Sequence, residues 1–162
     1  MNALEGTLER SNGTLSAVAG DVRLHLDEDV ETARPALRDF EGRPVVVGIR
    51  PEHLEDAELA PDTPPDRRIR GRVQLREALG SEVMIHMEVA AQAALTEDVR
   101  ELAADVGDDR AVIAAEDARH ATLVGRFGAH SRAQAGDAIE VAVDTRSLHF
   151  FDPETGLGIY DR

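Results

Sequence analysis

Short runs that alternate apolar and polar residues, each set off by a glycine-bearing turn signal, constrain this chain more than any other feature. Leu4, Gly6 and Leu8 alternate with polar neighbours ahead of Asn12-Gly13, and Val22, Leu24 and Leu26 alternate with Asp21, Arg23 and His25 after Gly20-Asp21. Val83, Ile85, Met87 and Val89 share one parity after Leu79-Gly80-Ser81, as do Ile139, Val141 and Val143 after Gly136-Asp137. A period of two places successive side chains on opposite faces of a strand, while a helix would bury positions three and four apart. The runs therefore predict half-buried strands joined by tight turns, with further strands near Thr14 to Val18, Ile69 to Leu75, Ala121 to Phe127 and Leu148 to Phe150. Pro44-Val45-Val46-Val47-Gly48-Ile49 is continuously apolar and suits a strand buried on both sides. Pro51 stops it, having no N–H for a ladder and biasing Arg50 towards an extended backbone.

Between these runs the composition changes. Residues 27–43 are acidic and carry Pro35 and Gly42, which reads as a solvated connection with one short helical turn. Residues 52–66 combine six acids with Pro61, Pro64 and Pro65, and they mark a boundary between two lobes. Residues 90–118 form an alanine-rich, acidic insertion, in which Thr96 is the expected N-cap of a helix running to Val106 before Gly107. The expected fold is mainly β, small antiparallel barrels with one helical insertion near 90–118. Its organisation is expected as a first part at 1–59, a linker at 60–66 and a second part at 67–162 whose C-terminal strands complete the barrels.

Several function classes are closed by what the chain contains. All 18 of its Lys+Arg residues are arginine, so no Gly-x-x-x-x-Gly-Lys phosphate loop can be written and no Schiff-base lysine exists. There is no cysteine for a disulfide or a thiolate zinc site. A formal charge of −14 repels nucleic-acid phosphates and anionic lipid headgroups. No run approaches the ~20 apolar residues that span a bilayer, and Met1 to Gly6 has neither the basic nor the apolar region of a secretion signal.

Three motifs remain. Gly48-Ile49-Arg50-Pro51-Glu52-His53-Leu54 sets an Arg-Pro-Glu corner in which Arg50 and Glu52 are close enough along the chain to pin it by charge-assisted hydrogen bonds. His53 beside Glu52 is a lone pair of potential ligands, too few for a metal. Glu77-Ala78-Leu79-Gly80-Ser81-Glu82 reads as a hairpin in which Gly80 supplies positive φ. Ser81 lacks the second glycine of a nucleophile elbow and any recognisable His/Asp partner. Leu148-His149-Phe150-Phe151-Asp152 is a last strand with Phe150 inward and His149 outward, followed by a turn from Pro153 to Gly156. Arg67, Arg68, Arg70 and Arg72 form the basic cluster; on a strand the last three share a side that an anion or acidic partner could occupy, though a solvated face is the plainer reading.

Taken in order and spacing, these motifs resemble the C-terminal regulatory part of maltose-importer-type ABC ATP-binding subunits, with its TOBE-class OB-like barrel, and Met1-Asn2 looks like the start of that part. The arginine-only, alanine-rich composition and the longer 90–118 connection are also similar to actinobacterial multiple-sugar importers. The resemblance implies a non-catalytic regulatory and dimerisation domain, with Gly48, Arg50, Pro51, Glu52, His53, Leu79, Gly80, Glu82, His149, Phe150 and Asp152 as structural or regulatory contact positions. It implies no cofactor in this chain, since ATP and Mg belong to an ATPase domain lying outside it. The implied partners are a second copy of the subunit, the transporter's ATPase and membrane subunits, and a regulatory protein, with no nucleic acid and no direct membrane insertion. Such a protein is expected to be cytoplasmic, at the inner face of the membrane through the transporter complex. The alternative implied by related barrels is a TOBE-type module that senses small oxyanions.

Overall fold

A computed structural model describes residues 1–94 and 119–160. The chain is mostly β. In order, its elements are β1 (Asn2–Ser11), β2 (Thr14–Ala19), β3 (Val22–Leu26), α1 (Glu28–Ala33), β4 (Pro44–Ile49), β5 (Leu54–Asp56), β6 (Arg68–Ala78), β7 (Glu82–Val89), β8 (Ala121–Gly128), β9 (Ala138–Val143) and β10 (His149–Phe151). Two five-stranded sheets result, ordered β10-β4-β1-β2-β3 and β5-β9-β6-β7-β8. All of their named pairings are antiparallel.

The turn chemistry behaves as the sequence requires. Asn12 and Gly13 take φ of 51° and 84° and join Ser11 to its partner Thr14, the two-residue primed turn that matches strand twist. β1 is long enough to serve two partners. It pairs with β4 from Asn2 to Thr7 and with β2 from Thr7 to Ser11. At the changeover Gly6 lies so close to β2 that a Cβ would come within 2.5 Å of the Val18 carbonyl oxygen, so a side chain would force the strands apart. The open flank of the first half of β1 is taken by the segment after β7, where the Glu5 N–H donates to the Gln92 carbonyl at 2.9 Å and the Ala94 N–H to the Ala3 carbonyl at 2.9 Å.

Inward parity builds one core across both sheets. Leu4, Leu8, Leu24, Ile49, Val83 and Ile85 all belong to it, with Phe127 and Phe150 as its large aromatic members. Each such side chain contributes roughly 1.5–3 kcal/mol by leaving water. The outward residues of β7, Met84 and His86, stay half-buried, and Glu88 is exposed. β4 lies between β1 and β10; Val45, Val47 and Ile49 are buried on one face, while on the other Gly48 is buried and Val46 only half-buried, so the run expected to be buried on both sides is so only in part. The 27–43 connection holds two helical pieces rather than one: α1, with acids Glu28, Asp29 and Glu31 in its first turn, and a 3₁₀ turn Pro35–Phe40. They anchor through buried Val30 and Leu37. The expected helix from Thr96 to Val106 lies outside the described residues.

The chain changes sheet at Arg50–His53, and residues 57–67 connect β5 to β6 within the second sheet. That sheet is nearly closed on itself, since its two edge strands meet through a side chain. Glu55 of β5 accepts from the Gly128 N–H of β8 at 3.1 Å and 3.2 Å. Asn2 joins the two sheets in a similar way. Its amide donates to the Ile49 carbonyl at 3.0 Å and the Val124 carbonyl at 2.9 Å, and its oxygen accepts from the Val124 N–H at 2.8 Å. Both side chains cover backbone groups on the free edge of β8, which would otherwise be open to another strand.

Candidate contact surface at the sheet junction

The corner after β4 is shaped by proline and held by backbone bonds. Arg50 is extended, with φ −78° and ψ 144°, and Pro51–His53 form a single 3₁₀ turn. The His53 N–H donates to the Arg50 carbonyl at 3.0 Å, and the Asp144 N–H to the His53 carbonyl at 3.0 Å. The expected charge-assisted bond is not what pins it: Arg50 and Glu52 approach only to 4.0 Å, beyond hydrogen-bond reach, because both side chains turn to solvent. Glu52 is nevertheless held below the ordinary carboxylate range. Its own backbone N–H is the largest cause, partly offset by desolvation, and the charges of His53, Arg126 and Arg50 add to it. His53 Nδ1 sits 3.6 Å from Asp144 Oδ2.

β10 is zipped onto β4 beside this corner. His149 pairs with Gly48, Phe150 with Val47 and Phe151 with Val46. A Cβ on Gly48 would meet the Phe151 ring at 3.1 Å and the His149 Cβ at 3.2 Å, so the glycine makes room for the two side chains that cross it. His149 and Phe151 stack with centroids 6.4 Å apart. Burial lowers the His149 pKa, and the positive charges of Arg50, Arg34 and His53 lower it further, so the neutral imidazole is favoured. Phe150 is in the core as expected. Asp152 organises the turn that follows: its carboxylate accepts from the Glu154 N–H at 2.9 Å and the Thr155 hydroxyl at 3.1 Å, ahead of Gly156 at φ 68°.

The β6–β7 hairpin carries the remaining motif. Gly80 has φ 88° with nothing near the position of a Cβ, and Leu79 beside it is 57% exposed. Glu82 pairs with Arg126 Nε at 3.4 Å, and the charge of Arg126 is also felt at Glu52. The three motifs thus connect. β4 and β10 bring Gly48 and His149 together, with Arg50 and His53 acting on the imidazole, while Arg126 links Glu82 to Glu52. Leu79 and Gly80 stand at the hairpin tip, and Phe150 and Asp152 serve packing and turn geometry instead. The sequence reading missed Arg126 and Asp144. Arg126 shows only as an outward residue of a strand; Asp144-Thr145-Arg146-Ser147 is a side-chain cap, its carboxylate accepting from the Arg146 N–H at 3.2 Å and the Ser147 hydroxyl at 2.6 Å.

The basic stripe is committed elsewhere. Arg68 and Arg70 reach Glu140 at 3.3 Å and 2.9 Å, lowering its pKa chiefly through the Arg70 hydrogen bond, while Arg72 donates to the Gly136 carbonyl at 2.8 Å and Arg67 pairs with Asp27. Ser81 is exposed at the hairpin tip. Among the described residues no cluster of His, Asp and Glu could hold a metal ion, and no helix is long and apolar enough to cross a membrane. Chemically, this is a surface of hydrogen-bonding and charged groups set by strands, suited to recognition.

Comparison with known proteins fits that geometry. A family model described as the MalK OB fold domain matches residues 1–54, and one described as the TOBE domain matches residues 47–124. Their overlap contains the corner motif. The chain is 27% identical over 160 residues to the uncharacterized ABC transporter ATP-binding protein YurJ of Bacillus subtilis, covering 99% of this chain and 35% of that protein. It is 30% identical to the trehalose/maltose import ATP-binding protein MalK of Thermococcus litoralis, over 75% of this chain and 25% of the relative. The trehalose import ATP-binding protein SugC of Mycobacterium tuberculosis is 32% identical, over 71% of this chain and 28% of its own length. The chain therefore spans about a third or less of these relatives.

Proposed function

The chain belongs to the OB-fold and TOBE family of sugar-import ABC ATP-binding proteins, and we propose that it is the non-catalytic regulatory and dimerisation domain of such a subunit. It holds two subunits together while their ATPase domains open and close, and it offers the corner surface to a regulatory protein. ATP, Mg and hydrolysis belong to the part of the relatives that this chain does not match, which is consistent with its lack of lysine. Through the complex the domain sits at the inner face of the membrane, against the transporter's membrane subunits.

The observation that carries this reading is the joining of three separated motifs around Arg50, His53, His149 and Arg126, none of which is arranged for acid/base or nucleophilic work. An oxyanion-sensing module is less well supported, because Arg68 and Arg70 are already engaged by the carboxylate of Glu140. The test is a domain swap: this chain replaces the matching part of the Mycobacterium tuberculosis trehalose import ATP-binding protein, and trehalose uptake is measured. The swapped subunit should restore uptake that a deletion of that part abolishes. Restoration no better than the deletion would reject the assignment.

A further inference from the structure

A cavity of about 680 Å³ opens between the Arg50–His53 corner, the loop after β5 and the 3₁₀ turn Thr145–Ser147. Its lining includes the apolar residues Leu59, Ala60, Pro61 and Pro64, and Leu59 is 40% exposed. The same lining interleaves charges: Glu52, Glu55, Asp62 and Asp144 with Arg67, Arg126 and Arg146. Several of these are partly used, since Arg146 reaches Asp29 at 3.3 Å and Arg126 reaches Glu82 at 3.4 Å. Buried polar atoms without a hydrogen-bond partner are few in folded proteins, and each calls for an explanation. Among the described residues there are three, Arg67 Nε, Arg76 Nε and Thr145 Oγ1, and two of them belong to residues lining this one cavity. Thr145 is 1% exposed, so bulk water does not satisfy it.

The chemistry selects the ligand. A small anion would meet four carboxylates within a chain of formal charge −14, and a small cation would meet three guanidiniums. A molecule whose hydroxyls both donate and accept fits such an interleaved lining, because each carboxylate accepts a hydrogen bond and each guanidinium donates one. Its C–H face needs an apolar surface, which Leu59 and the two prolines provide. The volume lies within the range of about 300–1,000 Å³ usual for small-molecule sites. We propose that this cavity is a binding site for a neutral polyhydroxylated ligand, a mono- or disaccharide. The site goes beyond the regulatory and dimerisation reading and stands whether or not the chain dimerises.

Titration of the ¹⁵N-labelled chain with glucose, with maltose and, separately, with inorganic phosphate tests it. Glucose or maltose should shift the amides of Leu59, Thr145 and Arg146 saturably, and phosphate should not. Arg126→Gln and Thr145→Val should each weaken sugar binding by about threefold to tenfold, the loss of one hydrogen bond, without lowering the melting temperature. If either variant fails to fold, Leu59→Ser, altered at an exposed position, should weaken binding in the same direction. Absence of saturable shifts with both sugars overturns the proposal, as do shifts with phosphate alone. Sugar affinity left unchanged by every folded variant overturns it too.

Discussion

Gly80 turns the β6–β7 hairpin at φ 88°, a conformation that L side chains rarely adopt, and open space surrounds it. Gly80→Val should therefore destabilise by about 1–3 kcal/mol through backbone strain alone, with no steric clash to add. A chemical denaturation midpoint equal to that of the parent chain would show that the turn has an ordinary conformation. His149 sets a pH dependence at the same scale. Its folded pKa lies below the usual value of about 6.5, so the unfolded chain binds the proton more readily between the two values. Stability from this group is present above the unfolded value and falls as pH drops through the folded one. Melting temperatures of the parent chain should decline on acidification just below neutral pH, and His149→Gln should flatten that decline. Glu52 acts in a separate window, because its lowered pKa costs stability only when the pH falls into the carboxylate range. An unaltered slope in the histidine variant would mean that another group titrates there.

At the level of elements, strand parity and turn glycines were legible in the sequence, because a period of two and a positive φ are local properties. Val83, Ile85, Met87 and Val89 point inward and Gly13, Gly20, Gly80 and Gly136 all take positive φ. The joining of edges was not legible. Glu55 read as one acid among six in a loop, yet it links β5 to β8; Asn2 read as part of an opening, yet it joins both sheets. A side chain that replaces a ladder bond leaves no periodic trace, and its partner lies 122 residues away in the case of Asn2 and Val124. The corner was found for its sequence but not for its fastening, since Arg50 and Glu52 lie close along the chain, on either side of Pro51, without hydrogen bonding. Asn2→Leu removes three hydrogen bonds and strands the Val124 amide and carbonyl at the edge of β8, at a cost of about 2–4 kcal/mol. Asn2→Asp keeps the acceptor but not the donors and should fall between. Denaturant melts of the two variants that coincide with the parent would show that the joint contributes nothing to stability.

For the whole molecule, the question is whether one copy of this chain finds another. Exposed Leu157 and Tyr160 lie in the segment that pairs with β10, where Phe151 bridges to Gly158, and Met1 is exposed near Gly48 of the neighbouring β4. These give the strand end of the first sheet an apolar character that a second copy could cover. A formal charge of −14 on each chain opposes the approach. Weak self-association should therefore tighten when salt is added, since the Debye length shrinks from about 10 Å at 0.1 M to about 3 Å at 1 M while the apolar contribution persists. Sedimentation velocity at the two salt concentrations is the measurement. A dimer that strengthens with salt identifies an apolar contact held apart by charge, whereas one that weakens points to arginine–carboxylate pairs across the interface. A strict monomer under both conditions would remove self-association from this chain and leave the pairing of subunits to the parts of the relatives that it does not span.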